Sequence, residues 1–151
     1  MLKRDYEGQV CSIARALEIV GERWTLLIIR DAFNGLHRFE EFQENLGIAR
    51  NILTARLNRL VDEGLLERVR YTERPARYEY RLTRKGDDLD VALAGLRQWG
   101  DTHVSKTPPR ILRRRSDNKR VVAAFVAEGT KTLKRGEFEA VPGPGRSSRF
   151  G

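Results

Sequence analysis

Apolar side chains recur along the first hundred residues with two different periods, and the change of period marks the architecture. From Val10 to Val20, Ile13, Leu17 and Val20 fall at helical spacing, and Gly21 punctuates the end. Trp24 to Phe33 (WTLLIIRDAF) is apolar almost all round, the pattern of a central buried helix, and Asn34-Gly35 breaks it. Arg38 to Leu46 sets Phe39, Phe42 and Leu46 three and four residues apart, with Gly47 as terminator. Ala49 to Glu63 then carries Leu53, Leu57, Leu60 and Val61 on one face, followed by Gly64.

Beyond Gly64 the period falls to two. Leu66 to Tyr71 and Tyr78 to Leu82 alternate like strands around the basic loop Thr72-Glu73-Arg74-Pro75-Ala76-Arg77. Thr83 can cap a last helix whose stripe is Leu89, Leu93, Leu96 and Trp99, and Thr107-Pro108-Pro109 closes the domain. Short helices, one basic-faced helix, a hairpin and a final helix predict an α+β fold. It is a mainly α winged helix-turn-helix with a two-stranded wing. Ile111 to Arg115, Val121 to Ala127 and Thr130 to Leu133 read as short strands of a small C-terminal β extension, with turns at Asp117-Asn118 and Glu128-Gly129.

Composition narrows this picture. The 151 residues are 40% hydrophobic and 33% charged, which describes a soluble globular chain rather than a disordered one. No apolar run approaches the roughly 20 residues of a membrane span, and the start lacks a secretory leader, so no membrane partner is expected. One cysteine cannot staple a fold, which points to a reducing, cytoplasmic setting. The net charge of +8 points to a polyanionic partner. Yet up to Ser105 there are 17 Lys and Arg against 17 Asp and Glu, and from Lys106 onward 12 against 4. The surplus lies in the tail, so a nucleic-acid surface in the first hundred residues must come from local clustering.

One stretch clusters in that way. With Leu53, Leu57 and Leu60 buried, Arg50, Asn51, Thr54, Ala55 and Asn58 fall on the opposite surface, and no carboxylate intervenes until Asp62. Arg forks onto guanine, Asn pairs bidentately with adenine, and Ala or Thr methyls meet the thymine methyl in the major groove. Read alone, the same residues also describe an ordinary solvated helix. Arg74 and Arg77 flank Pro75 in the hairpin loop, with Arg70 and Arg81 on the supporting strands and Glu73 and Glu79 as partial offsets. Such a tip can lie along the backbone or enter the narrow minor groove. Arg38 either touches phosphate or pairs with Glu41 or a neighbour.

The ordered series Cys11…Gly21-Glu22-Arg23-Trp24-Thr25-Leu26-Leu27, Arg38-Phe39, Gly47-Ile48, Leu53-Thr54-Ala55-Arg56-Leu57, Asp62-Glu63-Gly64-Leu65, Arg74-Pro75…Tyr78-Glu79-Tyr80-Arg81-Leu82-Thr83 and Trp99-Gly100 resembles the HxlR family of transcriptional regulators. That family is similar in fold to the MarR family. The resemblance covers Val10 to Asp101 and implies a dimeric regulator of double-stranded DNA, its first and last helices packed across the dimer axis. The expected organisation is a DNA-binding and dimerisation domain over residues 1–105, a basic β-hairpin-like extension over 106–145, and a disordered tail over 146–151.

Two departures qualify it. Ala49 stands where the family usually opens the reading helix with serine, removing a capping hydroxyl worth about 1 kcal/mol. Pro142-Gly143-Pro144-Gly145 resembles the close of a zinc-ribbon-like extension in longer members, but no Cys or His follows His103. Zinc needs about four such ligands, so neither a metal nor any other cofactor is expected. The basic extension either grips DNA backbone or caps the domain and reinforces a dimer.

Cys11 is the one reactive candidate, near a helix start where amides favour a thiolate. Some family members sense oxidants or electrophiles through a cysteine at the matching position; the other reading is a small residue buried at the dimer interface. His37 and His103 stand alone, and no nucleophile–base pair or phosphate-cradling glycine loop is present, so no enzyme is expected. The expected function is a sequence-specific regulator, with repression as the expected sign, acting as a homodimer on a pseudo-palindromic operator under a redox or small-molecule effector. The rival readings are a winged helix that serves as a protein-interaction module and an RNA binder using the basic tail. The tail's scattered Phe125, Phe138 and Phe150 make a poor stacking platform for the latter.

Overall fold

The computed structural model describes Gly8 and residues 10–145, so the expected fraying of Arg146 to Gly151 lies outside the described residues. The chain divides into two compact units, one up to Leu89 and one from Asp90 onward.

The first unit holds α1 (Ser12–Val20), α2 (Thr25–Phe33), α3 (Phe39–Leu46), α4 (Arg50–Asp62), β1 (Leu66–Thr72), β2 (Arg77–Leu82) and α5 (Arg84–Asp87). Its core is the apolar periodicity made solid: Ile28, Ile29, Phe42, Leu53, Leu57, Leu60 and Leu66 are almost wholly shielded from solvent. α2 is central because its buried residues take in most of its surface, including Thr25 and Asp31. Asp31 is 1% exposed yet fully bonded: Arg30 Nε and Nη2 donate to it at 2.9 and 2.7 Å, and Asn45 Nδ2 of α3 donates at 2.7 Å. A buried carboxylate is tolerable only when its lone pairs are met in this way.

α3 and α4 form the helix-turn-helix. Glu41 reaches back to accept the amides of His37 and Arg38, each at 2.8 Å, closing the N-terminus of α3. Gly47 adopts φ 63° at its C-terminus, a left-handed conformation that glycine takes without strain. Ala49 opens α4 without a side-chain cap, as the missing hydroxyl predicts.

β1 and β2 pair antiparallel from Leu66 opposite Leu82 to Arg70 opposite Tyr78, and then Thr72 opposes Arg77. Tyr71 is therefore an extra residue, a bulge that turns the strand near its tip. The Tyr80 amide donates to the His37 carbonyl at 2.7 Å, tying the wing to the loop before α3.

The single last helix expected after Thr83 is two helices. Thr83 does cap, accepting the Gly86 amide while its hydroxyl donates to the Gly64 carbonyl at 2.6 Å. The Leu89 amide then bonds back only three residues, to Gly86, and this tightened turn ends α5 before Asp90.

The second unit contains α6 (Asp90–His103), β3 (Arg110–Arg114) and β4 (Phe138–Pro142). The β extension exists, but with different strands from those expected. β3 pairs antiparallel with β4, Arg110 opposite Pro142 and Arg114 opposite Phe138. Val121 to Ala127 and Thr130 to Leu133 form no regular strand; they follow only an isolated bridge between Arg113 and Arg120. The β-branched residues there favour extension, but a ladder also needs a neighbour, and within the unit one edge has none. Gly143 and Gly145 donate their amides to the carbonyls of Pro109 (2.7 Å) and Pro108 (3.0 Å). A Cβ on either glycine would strike the facing Pro108 or Thr107 carbonyl, which explains the Pro-Gly-Pro-Gly sequence. Among the described residues, no apolar side chain beyond Tyr80 is buried.

Candidate nucleic-acid interface

α4 turns Leu53, Leu57 and Leu60 into the core, which fixes what faces out. Arg50, Asn51, Thr54, Ala55 and Asn58 are all exposed. Their engagements are slight. Arg50 rests over the Phe39 ring at 4.6 Å with no acidic partner among the described residues, and Thr54 donates to the Arg50 carbonyl at 2.9 Å. The side chains of Asn51 and Asn58 make no hydrogen bond among the described residues, so their amides are open to a ligand. The other two arginines of the helix are committed. Arg56 pairs with Glu22 at 2.6 Å and donates to the Arg23 carbonyl, tying α4 to the loop before α2, while Arg59 pairs with Glu63 at 2.9 Å.

The wing sorts its arginines in the same way. Arg70 folds over the tip and donates to the carbonyls of Thr72 (3.2 Å) and Glu73 (2.9 Å), with the Glu73 carboxylate at 3.5 Å. Thr72 Oγ1 donates across the tip to the Pro75 carbonyl at 2.6 Å, and the Arg74–Pro75 peptide is cis. Arg81 pairs with Glu79 at 2.8 Å, which draws the Glu79 carboxyl below its ordinary value. Arg74 and Arg77 remain exposed and form no ion pair among the described residues. The bracing by Arg70 had no signal in the sequence, because it is made to backbone carbonyls of the tip rather than to a side-chain partner.

Arg38 joins these two regions. It stands exposed before α3, its guanidinium 4.7 Å from the centre of the Tyr71 ring and 3.7 Å from the Glu79 carboxylate. Glu41, the anticipated partner, instead binds backbone amides, chiefly that of His37 and then that of Arg38, and these hold its carboxyl below the ordinary value.

Cys11 is exposed at the N-cap of α1. The Ala14 amide, and after it that of Ile13, draws the thiol below its ordinary pKa. Beside it Val10 and Ile13 are exposed, as are Val91, Leu96 and Trp99 along α6. Among the described residues no group of His, Cys, Asp and Glu side chains could hold a metal ion, and no helix is long and apolar enough to cross a membrane.

Comparison with known proteins agrees with this geometry. Residues 19–108 match the family model described as HxlR-like helix-turn-helix. An uncharacterised HTH-type transcriptional regulator of Mycobacterium tuberculosis is 51% identical over 114 residues, covering 74% of this chain and 71% of the relative. The crystal structure of PA1607, described as a candidate transcription factor, aligns with a TM-score of 0.71 at 38% identity, over 86% of this chain and 93% of that one. The redox regulator HypR in its oxidised form aligns with a TM-score of 0.58 at 28% identity, over 62% of this chain and 97% of its own.

Proposed function

The chain belongs to the HxlR-like helix-turn-helix family of transcriptional regulators, and on that premise we propose that it binds a pseudo-palindromic operator as a homodimer and represses transcription. The outward face of α4 carries this reading. Arg50, Asn51, Thr54, Ala55 and Asn58 present guanine-, adenine- and thymine-matching groups, while the arginines that would be redundant there are neutralised by Glu22 and Glu63. Arg74 and Arg77 at the wing tip, with Arg38 beside the wing, supply phosphate or minor-groove contacts.

Exposed apolar residues beside and on α1 (Val10, Ile13, Leu17), and separately on α6 (Val91, Leu96, Trp99), are candidates for homodimer contacts, since such side chains in number mark an interaction face. Two subunits then set their α4 helices in successive major grooves, about 34 Å apart. Promoter occupancy of this kind blocks polymerase. In this organisation residues 1–105 bind DNA and dimerise, and residues 106–145 are an accessory basic extension.

The test is selection of retained sequences from randomised duplex DNA near physiological salt. Enrichment of a palindrome with half-sites one helical turn apart is the expected result. Binding that is salt-sensitive but enriches no sequence would overturn the specific-regulator reading in favour of an interaction module.

A second reading concerns the signal. Cys11 is exposed and its thiolate is favoured by helix amides, and HypR is a redox regulator of similar fold. We therefore propose oxidants or electrophiles as the effector class acting at Cys11. Loss of operator enrichment on mild oxidation, absent in Cys11→Ser, supports it; unchanged enrichment excludes it.

A further inference from the structure

The stretch from Val121 to Ala127 (VVAAFVA) is the most apolar part of the extension, yet most of it is exposed. Phe125 is fully exposed, Val122 61% and Val126 57%. Natural edge strands are usually blunted by charge or proline. This stretch has neither between Arg120 and Glu128.

One of its two backbone edges is held firmly. The Val121 amide donates to the Leu112 carbonyl of β3 at 2.9 Å. At Ala123 the Gln98 side chain of α6 imitates a neighbouring strand: its Oε1 accepts the Ala123 amide at 2.9 Å and its Nε2 donates to the Ala123 carbonyl at 3.0 Å. In an extended chain the backbone groups of alternate residues point to alternate edges. Val121 and Ala123 thus face β3 and α6. Val122, Ala124 and Val126 face the other way and make no hydrogen bond among the described residues.

We propose that this open edge pairs antiparallel with the same edge of a second copy of the chain, about a two-fold axis at Ala124. The register follows from parity and charge. Pairing through the open edge must set even residues opposite even residues. With Ala124 opposite itself, Val122 meets Val126, Ala123 lies beside Phe125, and Arg120 comes opposite the start of the Ala127–Thr130 turn, which carries Glu128. Moving the centre by one residue would instead put Arg120 opposite Val126 or carry it past Glu128 toward Thr130. Only the Ala124 centre brings opposite charges to the same place at both ends of the apolar run, and neither Arg120 nor Glu128 has an ion pair among the described residues. It also sets the large Phe125 ring against the small Ala123 of the partner, and every contact occurs twice, as an isologous interface requires.

The register is tested by cross-linking of the full chain in a Cys11→Ser background, with copper–phenanthroline as oxidant. Ala124→Cys should give a disulfide-linked dimer as the main product, since paired residues lie about 5.5 Å apart, within disulfide reach. Val122→Cys and Val126→Cys should each stay unlinked, because self-contact there is displaced by about four residues along the strand; the doubly substituted chain should link. All three side chains are exposed, so the fold should tolerate the changes. Linking of Val122→Cys as readily as Ala124→Cys would overturn the register. A chain that is dimeric by light scattering yet unlinked at Ala124→Cys would overturn the pairing itself and leave a helix-mediated dimer standing.

Discussion

Asn45 Nδ2 donates to Asp31 Oδ2 across 2.7 Å, joining α3 to a carboxylate that α2 keeps almost wholly out of water. The other oxygen, Oδ1, takes two bonds from Arg30. Hydrogen bonds to a buried charge contribute more than neutral ones, and losing a partner strands the other. Asp31→Ala should therefore destabilise the protein by about 2–3 kcal/mol in urea unfolding, and Asn45→Ala by about 1–2 kcal/mol. An unchanged midpoint in Asn45→Ala would mean that α3 is held by apolar packing alone.

The α4 face and the wing tip should separate by what they read. Arg50→Ala or Asn51→Ala should cost about 1–3 kcal/mol on the preferred sequence and relax specificity at one base position per half-site. Arg74→Ala with Arg77→Ala should weaken all sequences alike and reduce the slope of log affinity against log salt by about two per subunit. Filter binding across a salt series measures both. Equal loss of specificity from both sets would show that the wing also reads bases.

Gly86 sits where the start of α5 passes the entrance of the wing. A Cβ there would strike the Leu65 carbonyl oxygen and lie 2.9 Å from the Leu82 side chain. Backbone can give way only by moving β1 or α5, and overpacking of this kind costs about 1–3 kcal/mol. Gly86→Ala should lower the unfolding midpoint accordingly, whereas Gly95→Ala, with open space around it and a helical position, should be neutral or slightly stabilising.

Helix amides that favour the Cys11 thiolate should appear as early reactivity. The rate of alkylation by iodoacetamide should reach half its maximum at a lower pH than in a peptide spanning the same residues. The sign for stability follows: a depressed folded-state pKa adds stability above the unfolded thiol's pKa, lost as pH falls through the folded value. A midpoint equal to the peptide's would mean that the amides do not reach the sulfur in solution.

The outward face of α4 was legible because three buried leucines at helical spacing determine its opposite side, whatever the rest of the chain does. The same held for Thr83, whose hydroxyl caps as its position suggests. What escaped the sequence was decided by distant partners. Leu89 continues an apolar stripe, yet the tightened turn at Gly86 separates it from α6. β4 carries Glu139, follows Glu137 and ends in Pro142, an unpromising strand, but Arg110 to Arg114 offer it a ladder from far back in the chain. Val121 to Ala127 had the better composition and no second neighbour. The sequence places Arg70 on a supporting strand and Arg74 in the loop, but not that Arg70 folds back onto the Thr72 and Glu73 carbonyls to brace the tip.

The bonds from Gly143 to Pro109 and from Gly145 to Pro108 bring the exit of the extension back beside its entrance. Chain added between residues 128 and 136 would lengthen a loop whose feet already stand together. Each doubling of such a loop costs only about 0.6 kcal/mol in closure entropy. A fluorescent or affinity module grafted there should therefore leave the β3–β4 pairing intact, since its end at Arg114 and Phe138 is held by the ladder itself.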